Sequence, residues 1–205
     1  MTFCNSRLKI AAAMEELLSL LLRYNSSICI FSCVDSMVTE QLITALQSYD
    51  VMIVSGLAHG IDAIAHRLAL QHQLPTIGVL AHGFKTIYPP AHRSLAKDMT
   101  LHGGLLTEFW LDALPDRHHF PQRNRIVAGL SDATIVIETA VKGGSMITAD
   151  LAFQYDRDVF AVPGRIYDYR SSGCLQLIAQ NKATALMNPE QLLTALGWLE
   201  IKKKN

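Results

Sequence analysis

Phe120-Pro121-Gln122-Arg123-Asn124-Arg125-Ile126-Val127-Ala128-Gly129-Leu130-Ser131 leads into the apolar run Ala133-Thr134-Ile135-Val136-Ile137-Glu138, and then into Lys142-Gly143-Gly144-Ser145-Met146-Ile147-Thr148. An aromatic and two arginines thus precede a strand-like segment, which ends in a glycine-serine turn that opens a helical pattern. An α/β protein builds an anion site in this way. The strand stops, a Gly-rich turn lets backbone N–H groups approach the ligand, and the next helix adds partial positive charge at its N-terminus. Arg123 and Arg125 supply full charges in the forked geometry that suits phosphate. The same order of elements recurs upstream in Val51-Met52-Ile53-Val54-Ser55-Gly56-Leu57-Ala58-His59-Gly60-Ile61-Asp62. Two such turns in one domain point to a polyanion rather than to a single phosphate.

Working outward from this stretch, apolar runs at 28–31, 51–54, 76–80, 104–108, 133–138, 158–162 and 184–187 read as strands. Helical spacing separates them over 7–24, 36–48, 62–73, 91–102, 124–130, 145–155 and 174–180. A last helix follows Asn188-Pro189-Glu190, with Pro189 at its first position. Residues 111–121, with Pro115 and Pro121, read as a loop. Alternating strands and helices, each strand a near-continuous apolar run, predict a mostly parallel sheet covered by helices on both faces. Ligands of such sheets sit outside the strand carboxyl ends, the edge where both glycine turns fall. The expected divisions are an N-terminal helix over 1–27, a core over 28–187, and a C-terminal helix with a basic tail over 188–205.

The bulk composition narrows the field. Half of the 205 residues are hydrophobic, formal net charge is zero and the pI is about 7.1, so any polyanion site must rest on a local basic face. Cys4, Cys29, Cys33 and Cys174 have neither metal-pair spacing nor the density of a secreted disulfide framework, which suggests reduced thiols and a cytoplasmic protein. The apolar run over 10–22 is broken by Glu15 and Glu16, so no membrane span and no signal peptide are expected.

Neither turn fits the dinucleotide G-x-G-x-x-G pattern, and no Walker lysine follows a glycine loop. The first turn also serves as a plain strand-to-helix connection with Asp62 as its cap. Phe120 beside arginines is the pairing that single-stranded nucleic acid uses, a base stacking while phosphates are neutralised; the bland alternative is a core phenylalanine. His118 and His119 are adjacent and point different ways, and His59, His66 and His82 have no partner at ligand spacing, so no metal is expected. No cofactor is expected either. Ser55, Ser145, Asp62, Glu108 and Glu138 could furnish a hydrolase, but no G-x-S-x-G elbow is present.

Taken together, Ser55-Gly56-Leu57-Ala58-His59-Gly60-Ile61-Asp62 with His66, Tyr88-Pro89, the Phe120 to Ser131 block, Gly144-Ser145-x-Ile147-Thr148-Ala149, Val159-Phe160-Ala161-Val162-Pro163-Gly164 and Gly173 resemble the DNA-processing protein A family (DprA, also called Smf). The order holds from about residue 50 to 187. The resemblance implies an extended Rossmann-like three-layer fold that binds single-stranded DNA without hydrolysing it. It also implies a role in natural transformation, delivery of the strand to the RecA recombinase, and a homodimer. Carried over by position, Ser55, Gly56, His59 and Gly60 line one phosphate pocket. Phe120, Arg123, Asn124 and Arg125 form a DNA-facing block, Gly144, Ser145 and Thr148 the second turn, and Arg93 and Lys97 add basic residues on a helix after Tyr88-Pro89.

Two departures stand out. Where the family usually has a Gly-Ser/Thr-Arg turn, this chain has Phe31-Ser32-Cys33-Val34-Asp35, and His59 stands where Arg or Lys is usual. Each missing cation removes a slope of about 0.7 in log affinity against log salt for single strands. Weaker and more pH-sensitive DNA binding is therefore expected. The small helical domain that often precedes this core, and the winged-helix-like one that often follows, are not evident. Two other readings fit parts of the pattern. One is a related nucleotide-monophosphate-cleaving enzyme with Glu108 or Glu138 as the acid, although the glutamate trailing its glycine motif is replaced by Ala149-Asp150-Leu151. The other is a degenerate paralogue that acts as an interaction module.

Overall fold

The apolar runs become seven strands, and the alternation of side chains along them sorts the core into two layers. The computed structural model describes Tyr24 and residues 26–31 and 36–198. The helix expected over 7–24 (Tyr24 apart), the departing turn at 32–35 and the Lys202-Lys203-Lys204 tail lie outside the described residues. In chain order the elements are β1 (Ser26–Phe31), α1 (Ser36–Leu46), β2 (Val51–Ser55), α2 (Ile61–Gln71), β3 (Thr76–Val79), a 3₁₀ turn (Pro90–His92) leading into α3 (Arg93–Met99), and β4 (Gly103–Leu106). Then follow α4 (His119–Leu130), β5 (Ala133–Val136), α5 (Gly144–Gln154), β6 (Asp158–Ala161), a second 3₁₀ turn (Tyr169–Ser171) with α6 (Ser172–Ala179), β7 (Thr184–Ala185) and α7 (Pro189–Ala195).

All strand pairs are parallel, in the order β4-β3-β2-β1-β5-β6-β7. The chain winds outward from β1 to β4, then returns through α4 to β5 on the other side of β1. The β1/β5 boundary is therefore the topological switch point, where the loops at the carboxyl edge diverge to either side. This is the Rossmann-like α/β arrangement expected of the sequence.

Side-chain parity assigns the layers. Ile28, Ile30, Ile53, Ile135 and Phe160 face α1, α2 and α7 through Leu42, Ile43, Leu46, Ala65, Ala69, Leu192 and Leu193. On the opposite face, Cys29, Met52, Val54, Ile77 and Val79 pack on Val127 of α4, while Val136, Val159 and Ala161 pack on α5 and α6 through Ala149, Ala152, Cys174 and Leu177. Cys29 and Cys174 are thiols within this layer, and burial, followed by the nearby Asp62 charge, pushes the Cys29 thiol well up from its usual range. Asn188 caps α7, its Oδ1 accepting from the Gln191 N–H at 3.0 Å, with Pro189 in the first position as expected.

Two elements differ from the sequence reading. Most strands end one or two residues early, the strand pairing stopping before the apolar run does. More consequential, the expected loop over 111–121 ends at His118. α4 begins at His119, so Phe120 and Pro121 belong to its first turn, where a proline removes no intrahelical hydrogen bond. Asp116 organises that start, its Oδ1 accepting from the His118 N–H at 2.8 Å and its backbone carbonyl from His119 at 3.0 Å. The His118 N–H bond holds the Asp116 carboxyl below its ordinary range.

Ile135 is fully buried in the strand that flanks the switch point. Ile135→Ala should lower unfolding free energy by about 2–5 kcal/mol, read as a reduced urea midpoint at unchanged slope.

Candidate nucleic-acid interface

The carboxyl edge gathers residues from three elements around Gly56. Gly56 follows β2, and a side chain there would collide with the guanidinium of Arg123 from α4 and with Oδ2 of Asp62 from α2. Only the bare backbone fits between them. Arg123 is 4% exposed, and its Nη1 donates to the Val79 carbonyl at the end of β3 while Nε donates to Asn124 Oδ1 at 3.1 Å. Burial lowers the Arg123 pKa from its ordinary value, and the nearby Asp62 charge opposes that shift. Arg123, expected to face DNA, is thus turned inward. Its neighbour Asn124 is also buried, at 8% exposure.

Asp62 does not act as the end cap expected of it. Gly60 occupies the position before α2 with φ of 90°, a left-handed conformation that favours glycine. Asp62 instead ties down the turn: Oδ2 accepts from the Ala58 N–H at 3.0 Å and Oδ1 from the Ser55 hydroxyl at 2.9 Å. Ser55 is fully buried, with its Oγ also 3.3 Å from the Ile30 carbonyl. Beneath lies His66, with no exposed surface, its Nε2 2.6 Å from the Gly56 carbonyl and its Nδ1 2.6 Å from Thr76 Oγ1. With a neutral ring, Nε2–H donates to the Gly56 carbonyl, and Nδ1 shares the single proton of the Thr76 hydroxyl with the Ile53 carbonyl, which lies 3.0 Å from the same Oγ1. Burial drives the His66 pKa down to about 4, outweighing the opposing Gly56 bond and Asp62 charge.

Above this buried layer lies an aromatic rim. Tyr88 and Phe120 meet edge to face with centroids 6.4 Å apart, and His59 stands 6.4 Å from Tyr88 and 5.4 Å from His92. Tyr88, Phe120, Leu57, Ala58, Leu80 and Arg123 line a small open cleft. Phe120 is half-buried there, between the core and stacking alternatives. His59 and Gly60 are exposed on the first turn. His82 holds the rim from below, its Nε2 accepting from the Tyr88 N–H at 3.1 Å, and His92 Nδ1 lies 3.2 Å from the Leu57 carbonyl. In the sequence His92 was not singled out, Tyr88 was named only within the family blocks and His82 only as a metal ligand to set aside, because residues scattered over irregular loops carry no periodicity to betray a shared location.

The remaining candidates divide by exposure. Arg93 and Lys97 are exposed on α3, and Arg125 is exposed on α4, where it forms a surface ion pair with Glu108. Such pairs contribute little and exchange readily for another anion. The second turn sits across β1, about 10 Å from the first given two strand spacings. Gly143 precedes α5 and Gly144 begins it, with no side chain capping the helix. Ser145 donates to Thr139 Oγ1 at 2.7 Å. Thr148, expected on that turn, is fully buried, and among the described residues neither its Oγ1 nor the buried Oε2 of Glu138 has a hydrogen-bond partner. Among the described residues no cluster of three His, Cys, Asp or Glu could hold a metal, and no helix is long and apolar enough to cross a membrane.

Two stability measurements test this layer. Arg123→Ala should destabilise the fold by about 3–5 kcal/mol in urea unfolding, since it strips the buried Asp62 carboxylate of its counter-charge. His66 stays neutral in the folded state and gains a proton more easily when unfolded. Its contribution is therefore complete above pH 6.5 and lost as pH falls toward 4. The unfolding free energy from urea titration should drop over that interval by an amount on the order of 3 kcal/mol, and His66→Gln should lack that component.

The family model for DNA recombination-mediator protein A matches residues 31–197. Protein Smf of Synechocystis is 43% identical over 159 residues, covering 78% of this chain and 40% of the relative, so the chain spans less than half of that protein's length. The X-ray structure of DNA processing protein A from Streptococcus pneumoniae superposes with a TM-score of 0.77 at 36% identity, covering 86% of this chain and 63% of that one. A structure of DNA processing protein A from Helicobacter pylori, described for its single-stranded DNA binding mode, superposes with a TM-score of 0.78 at 29% identity, covering 87% and 82%. With a family match over most of its length, a shared fold and the motif blocks at the same carboxyl edge, this chain belongs to the DNA recombination-mediator protein A family, the DprA and Smf proteins of DNA processing and recombination.

Proposed function

We propose that this chain binds single-stranded DNA along the carboxyl edge of its sheet, without cleaving it. The observation that carries this reading is the layering at the first turn. A buried Arg123–Asp62–His66 network fixes the backbone of Gly56 to Gly60 from below, while Tyr88, Phe120 and His59 form an accessible aromatic rim above. A base can stack on that rim while phosphates meet the exposed Arg93, Lys97 and Arg125 and the uncapped start of α5 at Gly144. The Helicobacter pylori relative, whose structure concerns single-stranded DNA, supports the choice of ligand.

Non-catalytic binding is favoured by how the hydroxyls are engaged. Ser55 is buried and bonded to Asp62, and Ser145 donates to Thr139, so neither is presented with a base to an open cleft. In this reading the protein shields strands during DNA uptake and natural transformation in the cytoplasm, and passes them to a RecA-type recombinase as a homodimer.

The roles read for the arginines separate cleanly in an assay. In fluorescence anisotropy with labelled oligo-dT, affinity should fall with rising salt, and duplex DNA should bind more weakly. Arg93→Glu combined with Lys97→Glu should reduce affinity by about tenfold or more and flatten the salt slope by about 1.4, at unchanged thermal stability. Retention of full affinity by that variant would remove these cations from the site.

A further inference from the structure

Beyond the two glycine turns, the carboxyl edge carries a third feature in the loop after β6. Arg165-Ile166-Tyr167-Asp168-Tyr169-Arg170 projects from the edge with Tyr167 fully exposed and Tyr169 73% exposed. Aromatic side chains so far from any packing partner are ordinarily found on loose loops, but this one is fastened. Asp168 Oδ1 accepts from the Arg170 N–H at 3.0 Å, the Arg165 carbonyl accepts from the Asp168 N–H at 3.0 Å, the Asp168 carbonyl from the Ser171 N–H at 3.1 Å, and the Tyr169 carbonyl from the Ser172 hydroxyl at 2.6 Å. At the base, Gly164 lies so close to Ser171 that a side chain on it would collide with the serine.

The loop is also joined to the second glycine turn through one residue. Thr139 takes the Ser145 hydroxyl on its Oγ1 at 2.7 Å, and its backbone carbonyl accepts the Gly173 N–H at 2.8 Å. A side chain at Gly173 would lie 2.6 Å from Thr139 Cγ2 and 2.8 Å from the Ala140 carbonyl oxygen. The start of α5 and the base of the tyrosine loop are therefore held against the same threonine. β6 neighbours β5, so the loop prolongs the line of carboxyl-edge features that starts at β3. Four strand spacings separate β3 from β6, roughly 19 Å.

We propose that this loop is a second base-stacking platform, on which Tyr167 and Tyr169 take bases of the same single strand and Arg165 and Arg170 meet its phosphates. Arginine and aromatic residues interleaved on a pre-ordered loop are what a sequence-tolerant single-strand surface requires, because every base has a face to stack and no loop ordering has to accompany binding. The platform lengthens the site from the Tyr88–Phe120 rim across the second turn, and it rests on the DNA-binding reading given above.

Length dependence separates the platform from that reading. Anisotropy with oligo-dT of about twenty nucleotides should show at least a tenfold loss for Tyr167→Ala combined with Tyr169→Ala, while an oligo-dT of about five nucleotides, long enough only for the first rim, binds as before. Tyr167→Phe with Tyr169→Phe should restore the long-oligonucleotide affinity, since stacking needs the ring and not the hydroxyl. Photo-crosslinking of 5-iododeoxyuridine oligonucleotides to the unaltered chain should place adducts on Tyr167 or Tyr169. Equal binding of the long oligonucleotide by the alanine variant and the unaltered chain would overturn the platform and leave the first rim standing. Failure of the unaltered chain to bind any oligonucleotide at low salt would overturn both.

Discussion

The Arg123 guanidinium, buried where three layers meet, is the constraint on which the site depends. It projects from α4 on one face of the sheet, bonds the end of β3, crowds the bare backbone of Gly56 after β2, and balances Asp62 from α2 on the other face. A charged group is tolerated at that depth because a carbonyl, an amide oxygen and a carboxylate surround it. In return it fixes the relative positions of two helices and two strand ends. Asp62 is then free to hold the turn through Ser55 and Ala58, and His66 braces the same turn from beneath. The exposed rim of Tyr88, Phe120 and His59 inherits its geometry from this polar stratum.

The division between buried and exposed cations explains how a chain of zero net charge can present an anion site. Arg123 is used for architecture, and Arg125 is engaged with Glu108 at the surface. Arg93 and Lys97 stand on α3 beside the first turn, and Arg165 and Arg170 flank the loop beyond the second. Local arrangement, not overall charge, sets the potential a ligand meets.

The fold was largely legible because fully buried parallel strands declare themselves as continuous apolar runs, and the two glycine turns marked their carboxyl ends. Both turns lie where the reading put them. The direction of individual side chains was not legible. Arg123 and Arg125 are two residues apart on a helix, which places them some 200° apart around its axis, so a motif that names both cannot send both to one ligand. The sequence reading treated the stretch before Asn124 as loop because of its prolines, and so lost the helical phase that would have separated them. The burial of Thr148, named on the second turn, was not legible for the same reason, its inward phase on α5 hidden by a motif read as a turn. The tyrosine loop carried no signal of order, since its fastening bonds run through backbone groups and a single threonine.

The parallel winding has a consequence for how the protein comes into being. Ser27 at the foot of β1 bonds Asp132 at the foot of β5, partners 105 residues apart along the chain. A ribosome has therefore released the whole β1-to-β4 half before the neighbour that completes the centre of the sheet exists, and β1 must wait with one edge open. The switch-point seam can close only once β5 has emerged. Maturation of the binding edge is thus tied to late segments of the polypeptide: a nascent chain cut short before α4 carries Gly56 and Asp62, but neither the arginine that locks them nor the second turn.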